Sequence, residues 1–203
     1  MGEHAVKTLR TVVIPALPRD LALAQKKGRE LLKGFEVAIN TSPGLAEATR
    51  LGIESAWGEV VVVMDCDDLH PAYMAGILAR KLEEEGYDLV KASRINFGRG
   101  LRGVLSARGN RLIRRALGLQ VSDCTTCFYA GYRYKLLDLP EWVWHGHGDY
   151  MMALLSEAQA RGWRIAEFKY IAPADRRDGS TSLRKHVPMY LRRIRVIRQE
   201  ARG

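Results

Sequence analysis

Four consecutive valines constrain this chain more than any other feature. Glu59-Val-Val-Val-Val-Met64 is an unbroken apolar run bounded by Gly58 and an acidic turn. It is too short for a core helix and too continuous for a strand with one wet face. A strand buried on both faces belongs to a parallel sheet covered by helices on either side. The flanking segments agree. Thr11-Val-Val-Ile-Pro15 reads as a β-branched strand ended by its proline. Leu21–Lys33 has helical composition with Gly34 as its cap, and Phe35–Ile39 alternates as a second strand. Leu45–Trp57 follows as a helix with Leu45, Thr49, Gly52, Ile53 and Ala56 facing inward. After the valines come a helix over Ala72–Glu85, its cap Gly86, and a strand at Asp88–Ala92.

Strand and helix thus alternate four times, which predicts an α/β domain with a mostly parallel central sheet and helices on both faces. Beyond Ala92 the pattern is less regular. A basic helix is expected over Val104–Leu117, a strand within Cys127–Tyr134, a helix over Gly148–Arg161 and a strand at Arg164–Tyr170. A basic amphipathic helix is expected from Val187, with Pro188 in its first turn and an apolar stripe of Tyr190, Leu191, Ile194 and Ile197. A chain of 203 residues with this pattern is read as one domain, residues 1–203.

Charge is distributed unevenly. The net formal charge is +9, yet Lys91–Gln120 carries eight Lys/Arg and no acid, and Ala172–Gly203 carries nine Lys/Arg and three acids. Blocks of this kind suit phosphates, whether of a nucleotide, a lipid headgroup or a nucleic acid. Whole-chain disorder is excluded by 47% apolar residues. No apolar run approaches the ~20 residues of a membrane span. Three cysteines, and no secretory apolar core in Met1–Arg10, point to a reducing cytoplasm. The pair in Cys124-Thr-Thr-Cys127 stands alone and is weak evidence for zinc.

Chemistry concentrates where the valine strand ends. Asp65, Asp67 and Asp68 follow directly. In open α/β sheets ligands bind beyond the carboxyl ends of the strands. Three carboxylates in four residues repel one another and favour a hard cation such as Mg²⁺ or Mn²⁺, which in turn holds phosphates.

The stretch Trp57–Pro71, with its Asp-x-Asp, resembles the metal-binding region of inverting family 2 glycosyltransferases of the GT-A fold, and is most similar to the dolichol-phosphate mannose synthase-like branch. Other segments fall into register with that branch. They are Asn40–Gly58; Gly86–Arg94; Arg102, Ser106 and Asn110 in an R-x3-S-x3-N helix; Leu117–Asp123 with Thr125 and Phe128; Gly162–Glu167; and Arg176-x-x-Gly179. The resemblance runs over roughly 11–182. It departs from the family at several points. Pro18-Arg-Asp20 replaces an acidic turn, and no second strand ending in Asp-Asp-Gly-Ser is present between Pro15 and Phe35, so the nucleotide half is shortened. Leu69, Cys127, Tyr129 and Ser182 stand where the branch has Gln, Gly, Arg and Lys.

The resemblance implies metal-dependent, inverting transfer of a sugar from a nucleoside diphosphate sugar. Residues 1–92 would form the nucleotide and metal half, 93–186 the acceptor half, and 187–203 the C-terminal helix. Asp65 and Asp67 would hold Mg²⁺ or Mn²⁺, with Asp67 central to catalysis. Pro15, Asn40, Asp65 and Arg176 would line the donor, and Arg94, Arg102, Ser106 and His147 the acceptor. A phosphate acceptor is already a nucleophile; a hydroxyl acceptor would need a base, for which Asp149 and Asp123 are the candidates. The acceptor expected first is a polyprenyl phosphate, met by a cytoplasmic protein peripheral to the membrane. The alternative is a nucleic acid, such as hydroxymethylated bases of viral DNA. A lesser alternative is a non-catalytic basic binding module.

Overall fold

The valine run is a strand in which every side chain is fully buried. The computed structural model describes residues 9–31, 34–67, 69–95, 100–172 and 183–200. Its elements are β1 (Arg10–Ala16), α1 (Leu21–Leu31), β2 (Glu36–Thr41), α2 (Leu45–Ser55), β3 (Val60–Val63), α3 (Tyr73–Glu85), β4 (Leu89–Arg94), α4 (Gly100–Leu117), β5 (Tyr129–Tyr132), α5 (Arg133–Leu137), α6 (Tyr150–Ala160), β6 (Ile165–Tyr170) and α7 (Leu183–Glu200).

Among the described residues six strands form one sheet, in the order β2-β1-β3-β5-β4-β6. β1 pairs in parallel with β2 and β3, and β4 with β6. Only β5 is reversed, antiparallel to both β3 and β4. The period of two along each strand then sorts side chains between two helix layers. Val13, Val61, Val63 and Leu89 pack with Ile53 of α2, Ile113 of α4, Met151–Leu155 of α6 and Ile194 and Ile197 of α7. Val12, Ile14, Val60, Val62 and Val90 pack with Ala24 and Leu31 of α1 and Met74, Leu78 and Leu82 of α3. The expected α/β architecture is the observed one.

Several boundaries move. β1 continues through Pro15 to Ala16, because a proline near a strand end lacks only one donor. β5 is four residues rather than the wider Cys127–Tyr134, since Asp123–Phe128 is spent on a polar turn. Helix α5 and the 3-10 turn Glu141–Trp144 were not expected; each is too short for periodicity to show. Helix α7 begins at Leu183, a turn before Val187, so Pro188 lies inside it.

The apolar stripe of α7 also has a different use from a membrane face. Ile194 and Ile197 are in the core at 7% and 2% exposure, and only Leu191 of the stripe is open, at 52%. Among the described residues no helix is long and apolar enough to cross a membrane.

Candidate active site

Because β1, β3, β4 and β6 all run one way, their carboxyl ends share an edge. β5 starts there, since Tyr129 is opposite both Val63 and Lys91. The residues following β3, those closing β4 and those preceding β5 therefore meet. This register brings together Asp65, Asp67, Arg94 and Asp123, which are far apart in sequence.

Asp65 and Asp67 are both half-buried, with the Asp65 side chain 37% exposed. The Asp67 carboxylate accepts the Leu69 N–H at 3.1 Å, which closes the turn. Asp68 lies outside the described residues. The turn rests on His70, which sequence reasoning passed over. His70 is buried and stacks on Phe128 with ring centroids 4.7 Å apart. Its Nδ1 accepts the Asp65 N–H at 2.8 Å. That leaves the proton on Nε2, 3.7 Å from an Asp65 carboxylate oxygen. Burial, then the positive charges of Arg94 and Lys91, hold this imidazole neutral, well below its usual value. Tyr170 adds a second brace by donating to the Leu69 carbonyl at 3.2 Å.

Asp123 is fully buried and saturated with donors. It accepts from Arg94 Nε at 2.9 Å, from the N–H groups of Thr125 and Thr126 at 3.2 Å, and from both threonine hydroxyls. Burial alone would raise this carboxyl; Lys91 and Arg94, with the hydrogen bonds of Arg94 and Thr126, overcome it and hold it far below the usual range. Lys91 is a fully buried lysine in the middle of β4, with its Nζ donating to the Ala92 carbonyl. Burial pulls its own pKa down, opposed chiefly by Asp123. A lysine between Val90 and Ala92 is the one sequence signal that could have pointed to a buried carboxylate partner. Asn110 of α4 fastens this turn, its Oδ1 accepting the Cys124 N–H at 2.7 Å.

Asp149 stands on the other side of the turn, where Cys127 Sγ reaches the Gly148 carbonyl at 3.5 Å. Asp149 is buried, and its carboxylate accepts the His147 N–H at 2.7 Å. Arg193, delivered by α7, faces it with Nε 4.0 Å from Oδ2. The same guanidinium donates to the carbonyls of Trp142 and Val143, both at 2.9 Å. Burial lowers the Arg193 pKa and Asp149 opposes the shift. Tyr190, one turn earlier on α7, is pushed up to about 12 by burial and by the neighbouring Cys127 and Asp149. Helix α7 therefore borders the site as well as the core.

Those of the other expected site residues that are described come from separate elements. Pro15 is buried in β1, level with Asn40 of β2. The Asn40 amide donates to Ser55 Oγ of α2 at 3.0 Å, so its side chain is engaged on that helix. Ser106 is on α4, half-buried, its carbonyl accepting from Asn110 at 3.3 Å. His147 is exposed. Arg102 is in the first turns of α4, but its side chain, like the whole of Arg176, lies outside the described residues. A groove of about 510 Å³ between α2 and residues 141–146 is lined by Gly44, Glu47, Trp144, His145 and Gly146. The two thiols of Cys124-Thr-Thr-Cys127 donate to backbone carbonyls, and burial pushes Cys124 up to about 12.

Comparison with known proteins supplies the class. The chain belongs to glycosyl transferase family 2, whose model matches residues 20–139. Over 88 residues it is 33% identical to "Putative glycosyltransferase CsbB" of Bacillus subtilis (strain 168), a match covering 43% of this chain and 26% of that protein. The match thus spans about a quarter of the length of that relative. Among solved structures, it is similar to glucosyl-3-phosphoglycerate synthase from Mycobacterium tuberculosis. With Mn²⁺, uridine diphosphate and phosphoglyceric acid bound to that enzyme, the TM-score is 0.71 at 18% identity, covering 97% of this chain and 79% of that one. With phosphoglyceric acid alone the TM-score is 0.72 at 20% identity, covering 94% and 80%. Identities this low establish the shared fold.

Proposed function

We propose that this chain transfers a sugar, with inversion, from a nucleoside diphosphate sugar to a polyprenyl phosphate, in the manner of the dolichol-phosphate mannose synthase-like branch. The observation that carries the reading is the meeting, at one sheet edge, of the Asp65–Asp67 turn and the Arg94–Asp123 pair. Membership of family 2 supports it. So does the likeness to a synthase whose structure holds Mn²⁺, uridine diphosphate and phosphoglyceric acid.

The residues fit a divalent cation. Among those described, no group of three or more His, Cys, Asp or Glu is arranged to hold a metal ion by itself. Mg²⁺ bound with a nucleotide takes only one or two protein carboxylates and completes its shell with phosphates and water. Asp65 and Asp67 offer two hard oxygen ligands at an accessible strand end. When bound, the ion would neutralise charge developing on the leaving diphosphate.

The chain's own residues do the rest. His70 stays neutral and fixes the backbone of Asp65, so the acidic turn is held before substrate arrives. Asp123 orients Arg94; with its lone pairs occupied and its pKa depressed, it is an anchor and a poor proton acceptor. Arg94, 25% exposed, presents guanidinium N–H groups toward an acceptor phosphate. Arg102, Ser106 and His147 are assigned to the same acceptor, and Pro15, Asn40 and Arg176 to the donor. An acceptor phosphate oxygen attacks without a base; for a hydroxyl acceptor, Asp149 would serve in place of Asp123. Residues 1–92 form the donor half, shortened to a single strand, β2, between β1 and β3 in sequence. Residues 93–186 form the acceptor half.

The test offers nucleotide sugars with Mg²⁺ or Mn²⁺ to a polyprenyl phosphate, 3-phosphoglycerate and hydroxymethylated DNA, scoring products by mass spectrometry. The lipid-linked sugar is expected, and EDTA or Asp67→Ala should lower its formation at least a hundredfold while leaving the melting temperature near wild type. Product with DNA or phosphoglycerate alone would replace the acceptor; transfer unaffected by both EDTA and Asp67→Ala would remove the metal role.

A further inference from the structure

We propose that the outer seam between α4 and α7 is a docking face for an anionic lipid surface. The two helices pack against each other. Their inward faces are spent on Ile113, Ile194 and Ile197. Arg198 crosses the seam to donate to the Ala116 carbonyl at 2.7 Å. That contact orients both helices. Leu112 is one helical turn before Ala116 on the same side of α4, and Leu191 is two turns before Arg198 on the same side of α7. The two leucines therefore flank one seam, at 59% and 52% exposure.

Singly exposed leucines need no explanation. Here two project from helices rich in exposed arginine. Arg108, Arg111, Arg115, Arg192 and Arg195 are exposed around them. α4 contains no acid, and α7 none before Glu200. Arginines ringing apolar side chains match an anionic bilayer, which accepts both the charge and the leucines. A nucleic-acid backbone would use the charge and leave the leucines in water. The occupant is therefore a lipid surface. Ile194 and Ile197, the residues an amphipathic reading of α7 would insert, are unavailable because they are core.

The position of the seam gives it a use. The other side of α7 carries Tyr190 and Arg193, which border Asp149. A bilayer seated on the seam therefore lies about one helix diameter, ~10 Å, from the groups that border the site. This deepens the lipid-acceptor reading and rests on it for purpose, though its test does not require transfer.

The whole protein is sedimented with vesicles of pure phosphatidylcholine and of phosphatidylcholine mixed equally with phosphatidylglycerol. Binding to the mixed vesicles alone is expected. Leu112→Ser with Leu191→Ser should weaken it about tenfold, and Arg111→Gln, Arg115→Gln and Arg195→Gln together on the order of a hundredfold. All five positions are exposed, and melting curves confirm that each variant is folded. The proposal is overturned if wild type ignores anionic vesicles, if the leucine pair is without effect, or if duplex DNA displaces vesicles and binds the leucine variant as tightly as wild type. Vesicle binding without sugar transfer would keep the docking face and remove the acceptor reading. Transfer to a water-soluble short-chain polyprenyl phosphate, with no vesicle binding, would do the reverse.

Discussion

Asp123 shows how far a residue's part can lie from its type. A carboxylate near a transfer site invites the role of base, and only its surroundings decide otherwise. The threonine donors are local, but the two positive charges that decide the matter, Arg94 and Lys91, come from β4 and cannot be read from the sequence around Asp123. The depressed pKa has a signed consequence. Unfolded, the carboxyl titrates near 3.8; folded, it stays ionised far lower. Its contribution to stability is therefore present above about pH 4 and drains away as the pH falls below that value. Asp123→Asn should cost about 3–5 kcal/mol at pH 7, leaving Arg94 and Lys91 uncompensated. The gap to wild type should narrow steadily below pH 4. Urea unfolding at pH 7 and pH 3 checks both statements; equal stabilities at pH 7 would show that the pair is idle. His70 was invisible for a similar reason. It follows the acidic turn by only two residues, but its meaning depends on Phe128 beneath it.

Elements were legible in proportion to their periodicity. β3 and α2 were plain because Val60–Val63 and the Thr49, Gly52, Ile53 face repeat at strand and helix spacing. β5, α5 and the 141–144 turn are each too short to show a period. In α7 the stripe was visible, while the surface it would cover was not, since amphipathicity names no partner. Gly52 shows what an element contact demands. A Cβ built there would sit 2.3 Å from Val13 Cγ1, so α2 lies too close to β1 at this residue for a side chain. In an isolated helix, Gly→Ala gains about 1 kcal/mol. Here Gly52→Ala should instead destabilise by about 1–3 kcal/mol through overpacking. Val13→Ala should be costly alone and should relieve Gly52→Ala, giving a favourable coupling energy in a double-mutant thermal melt. Strict additivity would mean that the two side chains never meet.

At the scale of the molecule, the strand order separates sequence halves from structural ones. Residues 1–92 hold the expected donor half, yet β4 joins the sheet only through β5 and β6. A fragment ending at Ile95 should consequently remain incompletely folded, with its β4 amides exchanging freely. It should recover protection when mixed with residues 96–203; a fragment fully protected alone would contradict the topology. Synthesis on the ribosome meets the same interruption. Leu89–Arg94 leaves the tunnel with neither neighbour made, and about forty more residues must follow before Tyr132 completes β5. At ~5–20 residues per second that wait lasts several seconds, during which the strand stands with both edges bare. Lys91 sits at its centre. While the nascent strand is wet the ammonium is charged and discourages pairing with stray chains. Its carboxylate partner, Asp123, precedes β5 in the chain and reaches the exit just before the strand that buries them both.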